Sequence, residues 1–192
     1  MFIVITGLDG SGTSSIAQKL NELDAGSVLV RTPPVDFISR KAYDDLLCNK
    51  SPVAHMLYYL SSCVYISDII KKNYDYNLKN VYCVRYLIDT VVSNVSSGVD
   101  LNLDYNIYGN QILEPDLTIF VSTDECLREK RINARGKDLL DAKLDNNDFR
   151  DKMLKNFDKF LDPNKTIVIT NNSDIDGVVK QLLTKVQNFK IS

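Results

Sequence analysis

A glycine-rich segment, Gly7-Leu8-Asp9-Gly10-Ser11-Gly12-Thr13-Ser14, separates an apolar run at 2–6 from a helical pattern that starts near residue 13. Its spacing matches G-x-x-x-x-G-K-[ST] except at one position, and this pattern gathers backbone N–H groups around a phosphate at a helix N-terminus. Ser14 stands where the hydroxyl that coordinates Mg²⁺ belongs. We therefore predict a phosphate-binding loop, or P-loop; the alternative is a plain glycine-rich turn.

The exception is Thr13, which occupies the position of the lysine in the pattern. That lysine contacts the β- and γ-phosphates and stabilises charge during phosphoryl transfer. Threonine offers a hydroxyl donor and no charge, whereas the loop backbone can still hold an anion. The sequence therefore predicts phosphate binding, and transfer requires another cation.

The rest of the chain alternates short β-branched runs with longer helical patterns, which indicates a parallel α/β sheet. The predicted strands are 2–6, 27–31, 81–84, 117–121 and 166–169. The main predicted helices are 13–23, 52–72, 124–135 and 175–188, and a further helix carries Met153, Leu154, Phe157 and Phe160. Ser51-Pro52 indicates a capped helix start, and Gly136 a helix end. We expect a single domain over 1–192.

Composition excludes several classes of protein. A net charge of −2 gives no general attraction to nucleic acid or to anionic membranes. We find no apolar run long enough to span a bilayer and no signal peptide, and we expect a cytoplasmic protein without membrane or nucleic-acid partners. Cys48, Cys63, Cys83 and Cys126 are too scattered for a zinc site or a disulfide framework. The single histidine, His55, is predicted to pack rather than to catalyse.

Four motifs resemble those of thymidylate kinases. The opening segment, FIVITGLDGSG, is similar to the family's F-I-x-x-E-G-x-D-G-x-G-K-[ST], and Val81-Tyr82-Cys83-Val84-Arg85-Tyr86 stands where the family has a strand ending in D-R-Y. The segment EPDLTIFV at 114–121 is similar to its P-D-L-T strand. The arginine spacing at Arg131 and Arg135 is similar to that at the start of its lid. The resemblance covers almost the whole chain.

The resemblance implies a P-loop three-layer α/β sandwich with a five-stranded parallel sheet flanked by helices. It also implies ATP with Mg²⁺ as phosphoryl donor and a deoxynucleoside monophosphate as acceptor. Arg85, Arg131 and Arg135 would be catalytic, and Ser14 would bind the metal. The donor nucleotide would be bound by Gly7, Asp9, Gly10, Ser11, Gly12, Thr13, Ser14 and Ser15. The acceptor would be bound by Asp9, Arg40, Tyr59, Arg85 and Asp89, and a lid would span about 135–148.

Departures from the family cluster at the site. Val84 replaces the strand-end aspartate, Thr6 replaces a glutamate, and Cys63 aligns with the arginine that reads the thymine edge; the residues after D-R-Y become Asp89, Ser93 and Asn94. Asp89 could supply the carboxylate that position 84 lacks. Two hypotheses follow: a nucleotide kinase with an altered acceptor or reduced activity, and a non-catalytic nucleotide-binding protein that acts as a sensor or partner subunit.

Three further alternatives stay open at this stage. Arg131 and Arg135, at i and i+4, are also typical of a solvated helix face. Tyr59 lies among apolar residues that suit a core. The helix at 52–72 is apolar on more than one side, so it is either buried within the monomer or forms the interface of a homodimer.

Overall fold

The computed structural model describes residues 1–35, 37, 40–47, 50–99 and 111–191. Five strands form one parallel sheet in the order β2-β3-β1-β4-β5. Their bounds are β1 Phe2–Gly7, β2 Val28–Arg31, β3 Val81–Val84, β4 Leu117–Ser122 and β5 Thr166–Thr170. All five predicted strands are present, each within one residue of its predicted ends, and the predicted fold class is confirmed.

Helices connect successive strands and cover the sheet. Within the described residues they are α1 Thr13–Leu23, α2 Arg40–Leu47, α3 Pro52–Asn73, α4 Leu87–Ser96, α5 Glu125–Arg135, α6 Leu139–Lys143, α7 Asn147–Phe160 and α8 Ile175–Ile191, with a 3₁₀ turn at Pro163–Lys165. The bounds of α1 agree with the prediction at both ends. Helices α2, α4 and α6 were not predicted.

Local signals at the helix ends are confirmed in one case and wrong in another. Gly136 caps the end of α5 with a positive φ of 87°. Ser51 precedes α3, where Pro52 fits the first turn, but the Ser51 side chain makes no capping hydrogen bond. Its φ of −148° and ψ of 81° place the residue outside the usual conformation, and the hydroxyl does not reach the first-turn amides.

The sheet is buried on both faces, which explains why its central strands are almost wholly apolar. On one face, Ile3, Ile5, Tyr82 and Val84 pack against α1 and α8. On the other face, alternate residues of the same strands pack against α3 and the start of α4. β1 and β3 are buried along their whole length. The polar residues that follow these strands are thereby brought to one edge, at the carboxyl ends of the strands.

Helix α3 corrects one expectation from the sequence. By length and composition it is apolar enough to cross a bilayer, whereas no such segment was expected. Half of its most apolar window is buried inside the fold, and the core helix of a soluble protein meets the same criteria. His55, Met56, Leu60, Cys63 and Ile66 form part of its buried side.

Candidate functional site: a P-loop between two cavities

The P-loop turns from β1 into α1 through backbone conformations that require glycine, as Gly10 and Gly12 show. Gly12 has φ 96°, and a Cβ atom there would lie 2.3 Å from the Asn171 amide nitrogen. Gly10 has φ 85°, and its Cβ would lie 2.9 Å from the Arg128 carbonyl oxygen. Gly12 forms the N-cap of α1 without a side-chain cap, and the first turn holds no acidic residue. No side chain caps the first-turn N–H groups, an arrangement that favours an anion at this end of the helix.

Three side chains hold the loop through the carbonyl oxygen of Ser11. The Thr123 hydroxyl donates to it at 3.0 Å, the Asn171 amide at 2.7 Å and the Arg131 guanidinium at 3.3 Å. Arg131 also donates to the carbonyl oxygen of Asn171 at 3.1 Å. The alternative of a solvated helix face is therefore wrong for Arg131, which binds the backbone of the loop.

Arg128 is a buried residue that binds the backbone of the loop. It was not among the residues predicted from the sequence. Its side chain is 2% exposed, and its guanidinium donates to the carbonyl oxygen of Asp9 at 2.9 Å. Glu125 accepts two hydrogen bonds from Arg128, at 2.8 and 2.6 Å. The hydrogen bond from Arg128 lowers the pKa of the Glu125 carboxyl, and the same bond raises the pKa of Arg128. The spacing of Glu125 and Arg128 was the available signal, but such pairs usually lie on the surface.

Arg85 lies at the carboxyl end of β3 in a left-handed conformation, with φ 65°. Non-glycine residues in this region carry strain of about 1–3 kcal/mol and cluster at functional sites. The conformation is held by the Thr32 hydroxyl, which donates to the Arg85 carbonyl at 2.7 Å. The guanidinium donates to Asp9 at 2.8 Å and to Asp89 at 2.7 Å, and it also contacts the carbonyl oxygen of Gly7.

Asp89 accepts from three groups. Besides Arg85, the hydroxyl of buried Thr6 donates to it at 2.7 Å and the Tyr86 N–H at 2.9 Å. Thr6 stands at the position where the family has a glutamate, and its hydroxyl donates to Asp89, the predicted replacement for the strand-end carboxylate. The structure brings Asp9, Arg85 and Asp89 into one ion-paired cluster.

Two cavities meet at this cluster, and both are lined by Asp9, Thr32 and Arg85. The first, the donor-side cavity, also contains the P-loop and the start of α1; its lining includes Gly10, Gly12, Thr13, Ser14, Ser15, Arg31, Arg131, Arg135 and Asn171. The second, the acceptor-side cavity, extends toward α3, α4 and α7, and its lining includes His55, Tyr59, Asp89, Ser93 and Asn94. An anion bound at the loop and a ligand in the acceptor-side cavity would therefore be neighbours.

The α3 wall of the acceptor-side cavity is polar. His55 Nε2 lies 2.8 Å from an Asp44 carboxylate oxygen, and the Tyr59 hydroxyl donates to the same oxygen at 2.9 Å. His55 and Tyr59 both line the cavity, so neither the packing role predicted for His55 nor the core alternative for Tyr59 is the whole account. Cys63, one turn further along, is fully buried in the core instead.

The remaining predicted site residues differ in placement. Ser14 and Ser15 line the donor-side cavity at the first turn of α1. Arg135 also lines it, but its guanidinium donates to Asp141 at 2.6 Å, within the predicted lid. Segment 135–148 is not a plain loop, since it contains α6 and the start of α7. The side chain of Arg40, a predicted phosphate contact, lies outside the described residues, as does Cys48.

A parallel sheet whose first strand runs through a glycine-rich loop into a helix defines a P-loop nucleotide-binding protein. A sequence model of the family described as thymidylate kinase matches residues 5–182, and the chain belongs to that family. Thymidylate kinase of Mycoplasmoides gallisepticum is 29% identical, over 98% of this chain and 95% of the relative.

Solved structures give the same fold. A thymidylate kinase from Candida albicans superposes with a TM-score of 0.70 at 24% identity, covering 98% of this chain and 92% of that one. A deoxyadenosine kinase from M. mycoides superposes with a TM-score of 0.74 at 20% identity, covering 98% and 100%. Family membership supports a nucleoside monophosphate kinase, and the hypothesis of a non-catalytic nucleotide-binding protein is not favoured.

Proposed function

We propose that the protein transfers the γ-phosphoryl group of ATP to the phosphate of a deoxynucleoside monophosphate. The observation that carries this proposal is the junction of the two cavities at Asp9, Thr32 and Arg85. Phosphoryl transfer needs donor and acceptor held in line with positive charge around the moving group. A P-loop on one side of Arg85 and the acceptor-side cavity on the other support that arrangement.

On the donor side, the first-turn N–H groups of α1 and the Ser11–Ser14 segment would bind the phosphates of ATP. Thymidylate kinases use ATP and Mg²⁺ in general. The described residues contain no cluster of three or more His, Cys, Asp or Glu side chains that could hold a metal ion. This fits a magnesium ion that arrives with the nucleotide, bound by its phosphates, by waters and by the Ser14 hydroxyl. Bound there, the ion would neutralise charge on the phosphates.

On the acceptor side, Arg85 would bind the acceptor phosphate while Asp9 faces the sugar. Asp89 would orient Arg85, because it accepts a hydrogen bond from the same guanidinium that faces Asp9. Arg131 and Arg135 would approach the transferring group from α5. The predicted contribution of Arg40 to acceptor phosphate binding remains part of the proposal.

The acceptor base would lie against Tyr59 and His55. This wall presents an imidazole and a phenol, and both are held by the carboxylate of Asp44. The position aligned with the thymine-reading arginine is buried Cys63, which does not line the cavity. These differences support the proposal that the protein accepts a different set of nucleoside monophosphates from a thymidylate kinase.

The decisive experiment is coupled ADP release with ATP, Mg²⁺ and a panel of acceptors. The panel contains the four deoxynucleoside monophosphates, and the four deoxynucleosides serve as matched acceptors without the phosphate. We expect turnover with at least one monophosphate and none with its nucleoside, because Arg85 would bind the phosphate. Absence of turnover above background with every monophosphate would contradict the proposal.

We also propose a cytoplasmic homodimer in which 1–192 forms one domain with a lid at 135–148. Support for the dimer comes from the exposed apolar residues of α3, Val53, Leu57 and Tyr65, and from Leu46 on α2. Light scattering after size exclusion tests it: the wild type should elute at twice the monomer mass, and Leu57→Lys should shift toward the monomer. Lys72→Glu, at the end of the same helix, is the control for a charge change alone. A monomeric wild type at micromolar concentration would contradict the dimer.

A further inference from the structure

The first turn of α1 lacks a positive charge at the position facing the phosphates. Thr13 is 6% exposed and lines the donor-side cavity with an uncharged side chain. Negative charge builds on the β–γ bridging oxygen as the γ-phosphoryl group leaves, and catalysis of this step is largely electrostatic. A cation from elsewhere in the chain must face this position if transfer is to be fast.

Four arginines line the donor-side cavity: Arg31, Arg85, Arg131 and Arg135. Two of them already face carboxylates, since Arg85 is paired with Asp9 and Asp89 and Arg135 with Asp141. Arg131 donates hydrogen bonds to two backbone carbonyl oxygens, those of Ser11 and Asn171. Across 1–35, 37, 40–47, 50–99 and 111–191, the side chain of Arg31 makes no hydrogen bond or ion pair. Its charge is uncompensated and all its donors are available.

The register of the sheet directs Arg31 toward α1. It is the last residue of β2 and pairs with Val84 of β3, while Leu29 pairs with Tyr82. Tyr82 and Val84 pack with Ile16 and Ala17 of α1, so Arg31 lies on the face of the sheet that α1 covers. Its position at the carboxyl end of the strand places it beside the first turn of that helix.

Thr32, the residue after Arg31, fixes the end of β2 against β3. The N–H of Thr32 donates to the Val84 carbonyl at 3.1 Å, and its hydroxyl donates to the Arg85 carbonyl at 2.7 Å. Val84 itself, opposite Arg31 in the register, is apolar and offers no carboxylate to pair with it. The two departures at Thr13 and Val84 are thus linked: one removes a cation from the phosphate site, and the other leaves a neighbouring cation unpaired.

We infer that Arg31 supplies from β2 the charge that Thr13 cannot supply from α1. This inference rests on the proposed function. The planar guanidinium would donate two hydrogen bonds to β- and γ-phosphate oxygens. In the transfer step the bond from the γ-phosphorus to the bridging oxygen breaks, and the electron pair stays on ADP. A bond forms from the γ-phosphorus to an acceptor phosphate oxygen, and Arg31 neutralises the charge on the ADP side.

The test compares Arg31→Gln and Arg31→Lys with Lys130→Gln, which removes an exposed charge from α5. Calorimetry measures the affinity for ATP–Mg²⁺ and, separately, for the deoxynucleoside monophosphate; a coupled assay measures kcat. We expect Arg31→Gln to weaken ATP binding by about tenfold or more and to lower kcat by about a hundredfold or more. The acceptor affinity should not change, and Lys130→Gln should behave as wild type.

A rescue variant separates a charge effect from a folding effect. Thr13→Lys added to Arg31→Gln should recover most of the lost ATP affinity and rate, because it returns a cation to the same phosphates. Unchanged ATP affinity in Arg31→Gln, or a loss confined to acceptor affinity, would overturn the inference. If the wild type turns over no acceptor, the proposed function fails, and the ATP affinities still decide the role of Arg31.

Discussion

The carboxylate of Asp44 lies 2.8 Å from Nε2 of His55, and these two residues are only 6% and 7% exposed. The pair joins α2 to α3, and His55 together with Tyr59 forms the polar wall of the acceptor-side cavity. A buried carboxylate is costly unless it is hydrogen-bonded, so each partner depends on the other. This wall therefore serves the fold and the cavity together.

Replacing His55 should affect the acceptor more than the donor. We expect His55→Ala to lower the free energy of unfolding by about 1–3 kcal/mol, because Asp44 loses a partner, and to raise the KM for the acceptor without changing the KM for ATP. Steady-state kinetics and denaturant unfolding measure these quantities. His55→Gln keeps a hydrogen-bond donor, so it should lose less stability and show a smaller increase in the KM for the acceptor than His55→Ala. Equal increases in the two KM values would place the effect outside the acceptor-side cavity.

Replacing Asp89 should disable the cluster around Arg85. Asp89→Ala leaves the Arg85 guanidinium, the Thr6 hydroxyl and the Tyr86 N–H without their shared acceptor. We expect kcat/KM for the acceptor to fall by about tenfold or more, since charge-assisted hydrogen bonds are the strong ones. Asp158→Ala, an exposed carboxylate on α7, is the matched control. Full activity of Asp89→Ala would show that this carboxylate does not replace the missing one at position 84.

Gly12 and Gly26 allow the steric requirement of the P-loop to be measured. Both have positive φ, 96° and 81°, but only at Gly12 would a Cβ atom meet a neighbour, the Asn171 amide nitrogen at 2.3 Å. Gly26→Ala should cost about 1–2 kcal/mol from backbone conformation alone. Gly12→Ala should cost more and should abolish ATP binding measured by calorimetry. Similar stabilities for the two variants, with ATP binding intact, would contradict a closed contact between the loop and Asn171.

The Glu125–Arg128 pair predicts a specific pH dependence of stability. Because Arg128 holds the pKa of Glu125 below its ordinary value of 4.5, the pair stabilises the fold above that value. The contribution is lost as the pH falls through the lowered pKa of the folded state. In unfolding titrations from pH 7 to pH 3, Glu125→Gln should flatten the acid limb, whereas Glu129→Gln on the exposed side of α5 should not. Identical acid limbs for wild type and Glu125→Gln would argue against the pair.

The thiols should differ sharply in reactivity. Burial raises the pKa of Cys63 to about 12 and that of Cys83 well above its ordinary value, whereas Cys126 is exposed. Since the thiolate is the reactive form, a Cys48→Ser protein at pH 8 should show one fast thiol with a chromogenic disulfide reagent. Two more thiols should appear on unfolding. Cys126→Ser in the same background should remove the fast phase; survival of that phase would mean that a buried cysteine is accessible.

The sheet and the P-loop could be predicted because their signals are local. Short apolar runs bounded by polar residues gave every strand, and the glycine spacing with Ser14 gave the start of α1. Helix α4 was missed because Leu87–Ser96 is rich in β-branched and small polar residues, which are weak helix formers. Tertiary packing against the sheet and α7 overrides that preference.

The roles of Arg128, His55 and Arg31 could not be predicted because distant partners decide them. Arg128 looks like half of a surface pair until Asp9, 119 residues away, accepts its remaining hydrogen bond. His55 needs Asp44, which belongs to a helix that the sequence did not indicate. The side of the sheet on which Arg31 lies follows only from its register with Val84. The types of residue near the site could be predicted from the sequence. The role of each one could not, because it depends on which side chains pair in the fold.

Under the proposed function, the ion pair between Arg135 and Asp141 would couple the proposed lid to the phosphates of ATP. Asp141 is 2% exposed, and Arg135 lines the donor-side cavity from the end of α5. If a γ-phosphate recruits Arg135, it must compete with Asp141 for the same guanidinium, so part of the binding free energy of ATP is diverted into releasing segment 139–143. By thermodynamic linkage, the ion pair with Asp141 would then weaken ATP binding to the same extent. If that proposal holds, an arginine shared between a carboxylate and a phosphate would make the position of segment 139–143 depend on whether a nucleotide is bound.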